Sequence, residues 1–221
     1  MIEKKLDELK KMLIEEASLV EDMVKNSIKG FLNKDEELLK KIINTNEPEI
    51  NDFELNIEEA CINLIALYQP KASILRTIVM IIKINNDLER IADIAVNISE
   101  SAIFLIKRPP VKPLIDIPRM AEEAQEMLKD AIDAFMAGDS NLAKSVCRRD
   151  EVVDNLRDQV LRELITYMMS DPSTIERAIH LIRISRNLER VADLSTNIAE
   201  DVIFIVEGRT VRHRRGIGHD E

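Results

Sequence analysis

The 221-residue chain has no tryptophan, two tyrosines, five phenylalanines, five glycines and two cysteines. Scarce aromatics leave little for stacking single-stranded bases. Thirty-one Lys and Arg against 41 Asp and Glu give a net charge of −10, which repels phosphate backbones and favours cations and basic protein surfaces. Nucleic acid is therefore not an expected partner. Cys61 and Cys147 form no CxxC and have no histidine at ligand spacing. They read as plain helix residues in a reducing compartment. The opening "MIEKKLDELKK" lacks the apolar core of a signal peptide. The longest aliphatic run, "IVMIIKI" (Ile78 to Ile84), is broken by Lys83 and falls far short of the roughly 20 residues a spanning helix needs. The expectation is a soluble, cytoplasmic protein, peripheral to a membrane at most. There is no Ser/His/Asp or Cys/His constellation and no glycine-rich phosphate loop, so no enzyme is expected.

What is abundant is Leu, Ile, Glu and Lys, a helical composition. Leu6, Leu9, Leu13, Val20, Val24 and Ile28 recur at helical spacing, predicting a helix from residue 2 to about 30 with a break over Gly30–Asn33. A second helix is expected over 35–68, bent or split by Pro48 and stopped before Pro70, and a third over 73–107. "KRPPVKPLIDIP" (Lys107 to Pro118) reads as a linker. The pattern then repeats: helices over 117–136 and 141–169 and a last one to 207, with "AGDS" as a turn and Ser173-x-x-Glu176 as a capping box. The expected organisation is all-α, two tandem three-helix bundles over 1–108 and 119–208, a proline-rich linker at 109–118, and a loose basic tail at 209–221.

The repeat is explicit. Leu88–Phe104 and Leu188–Phe204 share ten of seventeen residues, so the chain reads as two similar units. At about 100° per residue, with Glu89 at zero, Asp93 falls near 40°, Asn97 near 80° and Glu100 near 20°. Ile81, Ile84, Leu88, Ile91, Ala95 and Ile98 fall on the opposite side. Glu189, Asp193, Asn197 and Glu200 repeat the stripe. Counting outward from Pro70 and Pro172 brings Asp52 level with Glu89, and Asp154 level with Glu189. Asp158 lies one turn beyond Asp154, where the first unit offers the weaker Asn56. Like charges at this spacing repel, and a bound cation reverses the sign. All-oxygen donors suit Fe, Mn, Mg, Ca or Zn. The simpler reading is a solvated acidic face; the duplication of the whole pattern sets the metal reading level with it.

These same residues carry a resemblance. "LERIADIAVNISE" and "NLERVADLSTNIAE" resemble the paired signatures of the PhoU family of phosphate-transport regulators, and the similarity extends to about Arg209. The resemblance implies two cytoplasmic three-helix bundles in a homodimer. It implies negative regulation of phosphate uptake and of the phosphate-starvation response. The partners it implies are the ATPase of an ABC-type phosphate transporter and a membrane sensor histidine kinase. It also implies metal ions, iron or zinc, on Glu89 and Asp93, Glu189 and Asp193, and Asp154 and Asp158, with Asn97, Glu100, Asn197 and Glu200 completing the signatures. The chain departs from the family pattern at Ala92 and Ala192, where glycine is frequent, and at Ile94 and Leu194, where histidine is frequent. Two other classes compete: a purely structural helical protein, and a carboxylate-bridged metalloprotein of ferritin type. The latter needs Glu-x-x-His pairs facing a bundle core, and this sequence has none.

Overall fold

The computed structural model describes residues 2–209, and every regular element among them is helical. The helices are α1 (Ile2–Asn33), α2 (Glu36–Lys41), α3 (Glu47–Tyr68), α4 (Ala72–Ile106), α5 (Asp116–Ala137), α6 (Ser140–Ser170) and α7 (Ile175–Glu207). A π-helical turn over Ile42–Asn46 joins α2 to α3, and a 3-10 turn over Pro172–Thr174 leads into α7. The basic tail expected at the C-terminus lies outside the described residues from position 210 onward.

Three local expectations are corrected. Helix α1 does not break at Gly30 but continues to Asn33. The glycine serves close packing, since a Cβ there would lie 2.8 Å from the Leu39 side chain of α2. The chain turns instead at Lys34, with φ of 55°, and Asp35 caps α2 by accepting the Leu38 N–H at 3.0 Å. The second helix of the first unit is split as expected, but through a π turn: the Glu47 N–H reaches back to the Ile42 carbonyl. Pro48 has no N–H to give and crowds the carbonyl one turn back, and the wider turn just upstream takes up the misfit. The capping box at Ser173 and Glu176 does not form. Asp171 caps instead, accepting the Ser173 N–H at 3.0 Å, and Thr174 makes no side-chain cap.

The two units superpose in burial pattern. Leu13, Glu16, Ala17, Val20, Met23, Val24, Ile28 and Phe31 of α1 are buried where α5 buries Ile117, Met120, Ala121, Ala124, Met127, Leu128, Ile132 and Phe135. Leu88, Ile91, Ala95, Ile98 and Ala102 of α4 match Leu188, Val191, Ser195, Ile198 and Val202 of α7. The repeated stretches thus occupy equivalent environments.

Helices α4 and α7 pack antiparallel along the middle of the molecule. Lys83 meets the buried Asp201 at 2.5 Å, Arg76 lies over the Phe204 ring, and at the other end His180 stacks on Phe104 with centroids 3.9 Å apart. Buried side chains from both units form one contiguous cluster. The segment between the units is pinned to it. Val111 and Leu114 pack on the core, and Lys112 is buried between Asp116 (3.2 Å) and Glu163. Helix α5 starts early enough to take Pro118 into its first turn, where a missing N–H costs nothing.

Candidate functional site: two acidic faces with opposite interiors

The signature carboxylates lie where the 3.6-residue period puts them, turned from the core. Asp93, Asn97, Glu100 and Asp193 are exposed, and Glu89, Glu189, Asn197 and Glu200 are half-buried. Asn97 turns its amide onto the Asp93 carbonyl of its own helix at 2.8 Å. Ile94 and Leu194 are core residues.

In the second unit α6 and α7 bring Asp154, Asp158 and Glu189 together, but around a cation the chain supplies itself. The Arg157 guanidinium reaches Asp154 at 3.0 Å, Asp158 at 2.9 Å and Glu189 at 2.6 Å. Asp193 stands at the edge of this set. Partial loss of hydration at this solvent-exposed residue, then the charges of Glu189, Asp150 and Asp154, push its carboxyl up to about 6, against the pull of Arg157. Asp150 is raised for the same reasons, burial first and then Asp154 and Glu189.

The first unit answers differently. The buried residues Ile50, Ile57 and Cys61 of α3 correspond to Val153, Val160 and Leu164 of α6. This places Glu47, Asn51 and Glu54 where α6 has Asp150, Asp154 and Arg157. Sequence counting had put Asp52 level with Glu89, one residue out of register. Pro70 sits in an open turn while Pro172 begins a 3-10 turn, so the two prolines are not equivalent markers. Asp52 and Asn56 are exposed on the outer side of α3. The charges that bear on Glu89 are Asp93, Glu54 and Glu47; together with burial, the largest cause, they raise its carboxyl despite Arg90. Asn51 donates to Glu47 at 2.8 Å, and Asn85 donates across from α4 to the Glu54 carbonyl at 3.1 Å.

Beneath this face lies Glu16 of α1, wholly buried, with neither carboxylate oxygen hydrogen-bonded. Burial, and then Glu54 and Glu89, push it up to about 9. The Asn85 side-chain oxygen is also buried without a partner. Their counterparts in the second unit are Met120 and Ser185, and Ser185 satisfies itself on the Ile182 carbonyl at 2.9 Å.

Two residues of this layer are not among those the sequence pattern singles out. Arg157 sits between Asp154 and Asp158, and a count restricted to carboxylates passes over it. Glu16 interrupts the apolar series Leu9, Leu13, Val20 at a core position, a signal that was available. Among the described residues no three His, Cys, Asp or Glu side chains stand close enough together to hold a metal ion. The polar layers differ by unit: the Asp154–Asp158–Glu189 set is already compensated by a guanidinium, whereas Glu16 and Asn85 present oxygens with no partner. Neither cysteine is a candidate: burial raises the Cys61 thiol to about 12 and the Cys147 thiol to about 11.

A duplicated three-helix bundle with an acidic stripe in each half defines the fold class of the protein, and comparison with known proteins gives its family. A family model described as the PhoU domain matches residues 13–102 and again 117–202. The chain is 42% identical over 211 residues to a phosphate-specific transport system accessory protein PhoU homolog of Aquifex aeolicus, covering 96% of this chain and 95% of that one. It is 35% identical to PhoU homolog 2 of Thermotoga maritima, covering 96% and 90%. The crystal structure of PhoU from Pseudomonas aeruginosa superposes with a TM-score of 0.91 at 36% identity, covering 95% of this chain and all of that one. The PhoU of Streptococcus pneumoniae gives 0.87 at 27% identity over 96% and 99%. The chain belongs to the PhoU family.

Proposed function

We propose that the protein is an accessory regulator of a phosphate-specific transport system, restraining phosphate uptake and the starvation response when phosphate is plentiful. The observation that carries this reading is end-to-end similarity, in sequence and in fold, to proteins named as accessory to that system. The protein acts by binding rather than by catalysis. Its partners are the ATPase of the phosphate transporter and a sensor histidine kinase, which it meets from the cytoplasm as a homodimer. No helix of the described residues is long and apolar enough to cross a membrane, which accords with that placement.

The acidic faces bind metal ions, iron or zinc first and Mn, Mg or Ca as further candidates. Glu89 and Asp93 would hold an ion in the first unit, with Glu54 and Glu47 from α3 in place of Asp52, while Glu100, about 16 Å further along α4 at 1.5 Å per residue, lies beyond that ion's reach. In the second unit Glu189, Asp193, Asp154 and Asp158 are the donors, and Arg157 must be displaced before an ion enters. Such an ion would supply charge that neutralises the stripes and a fixed point for a partner's acidic or phosphorylated group.

The test is a chromosomal deletion in phosphate-replete medium, with a tagged full chain for pull-down. Phosphate uptake and starvation-gene expression should rise in the deletion strain, and the tagged protein should retain the transporter ATPase and the kinase. Unchanged uptake and expression with neither partner retained would refute the proposal.

A further inference from the structure

A groove of about 300 Å³ lies between α6 and α7, with Arg157, Arg186 and Arg190 as its cations and Asp158 and Glu189 as its acids. Half-buried Leu161 and Ile182 supply its apolar lining. Both acids are already matched, since the Arg157 guanidinium reaches Asp158 at 2.9 Å and Glu189 at 2.6 Å. Arg186 and Arg190 are not. They are exposed, one turn apart on α7, and among the described residues neither has an ion pair or a hydrogen bond. Like charges at this spacing repel. The first unit shows that the fold does not impose the arrangement. Arg90, the counterpart of Arg190, pairs with Asp87 at 3.3 Å. Asn187 stands at the position of Asp87, Arg186 at that of Asn86, and Arg157 at that of Glu54. All three differences run the same way, toward positive charge. At these four positions the first unit has one arginine against two acids, and the second has three arginines and no acid. The chain as a whole is acidic, so cations gathered here are a local feature of one groove.

We propose that Arg186 and Arg190 form a seat for a phosphate group, free or carried as a monoester on a small molecule, in the α6–α7 groove, with Arg157 neutralising Asp158 and Glu189 beside it. A guanidinium offers a planar fork of N–H donors that matches two oxygens of such an anion. A phosphate carries about −1.5 to −2 at pH 7, which suits two unpaired cations better than a single carboxylate does. The apolar lining from Leu161 and Ile182 lowers the local dielectric and strengthens charge-assisted hydrogen bonds. The seat needs Arg157 in place. It therefore belongs to the chain with no metal on this face, and it goes beyond the metal reading instead of resting on it.

The experiment uses the full chain, stripped with a chelator, and follows its melting temperature against inorganic phosphate, phenyl phosphate and chloride at matched ionic strength. Phosphate should raise the melting temperature saturably, and chloride should not. Arg186→Gln with Arg190→Gln should weaken phosphate at least tenfold. So should Asn187→Asp, which removes no arginine and gives Arg190 the partner that Asp87 gives Arg90. In the wild type, phosphate should shift the Nε–H resonances of Arg186 and Arg190, a readout that needs no variant to fold. Tighter binding of phenyl phosphate assigns the seat to a monoester whose body lies on Leu161 and Ile182; equal or weaker binding assigns it to the free anion. No rise with either phosphate, an equal rise with chloride, unchanged affinity in either variant, or shifts confined to other arginines overturns the seat.

Discussion

The two halves of this chain share a backbone plan and solve one electrostatic problem in opposite ways. Both gather carboxylates where the second helix of a bundle meets the third. The second unit places Arg157 among them and keeps the layer beneath apolar with Met120. The first unit places Glu54 at that position and a further carboxyl, Glu16, beneath. Duplication conserves the packing surfaces, because each buried position must match a neighbour's volume. It leaves the polar layer free to diverge, because a buried charge can be removed, paired internally or left for a ligand.

The sharpest way to break this comparison is to exchange the buried residues. In chelated protein, Glu16→Met should stabilise by about 3 kcal/mol at pH 7, the cost of keeping an acid protonated some 2.5 units above its usual value. Met120→Glu should destabilise by at least as much. Urea unfolding of both variants measures this, and a destabilised Glu16→Met would show that Glu16 has a partner.

The same exchange has a pH signature. Glu16 titrates near 4.5 when unfolded and about 9 when folded. Between those values the folded chain holds more protons than the unfolded one, so this group's contribution to stability is fully present below about 4.5 and lost as pH rises to about 9. Chelated wild type should lose stability across that window more steeply than Glu16→Gln. Parallel profiles would remove Glu16 from the account.

Arg157→Gln comes next. It leaves Asp154, Asp158 and Glu189 facing each other, and should cost about 1–2 kcal/mol, since the group is partly solvated and screened. Added salt should recover part of the loss. Salt-independent destabilisation would mean that the arginine stem, and not its charge, is what matters.

The smallest contrast is at the ends of the first helices. Gly30 and Ala134 are equivalent, and α2 exists only in the first unit. Gly30→Ala pushes on Leu39 and should cost about 1 kcal/mol or somewhat more. Ala134→Gly should cost about 1 kcal/mol through helix propensity and somewhat more through the loss of a wholly buried methyl. Thermal melts of the pair separate crowding from backbone freedom.

Most of the fold was legible because the signals were long. Apolar residues at 3.6-residue spacing over twenty to thirty positions, prolines between them, and a seventeen-residue repeat leave little freedom of architecture. The outward stripe of Glu89, Asp93, Asn97 and Glu100 followed from the same period. What failed was register between helices. Intervals counted from prolines are good to a residue or two, and one residue sends a side chain about 100° around a helix, which moved Asp52 out of the site and Glu54 into it. The π turn was hidden for a similar reason, since one extra residue per turn leaves no mark on composition. Arg157 is hidden because it stands between two aspartates, Asp154 and Asp158, and reads as part of an acidic run. Glu16 stood in plain view as a charged residue on an apolar stripe.

The antiparallel pairing of α4 and α7 has a mechanical consequence. Their 35 and 33 residues make rods about 50 Å long at 1.5 Å per residue. Because the rods run in opposite senses, the α3–α4 and α6–α7 turns lie at opposite ends of the molecule. The exposed Leu67 and Met169 therefore mark two tips held apart by a strut. Its stiffness comes from a continuous core, so load applied at one tip is delivered to the other with little flexing between. Anything gripping both ends feels a spacer of fixed length.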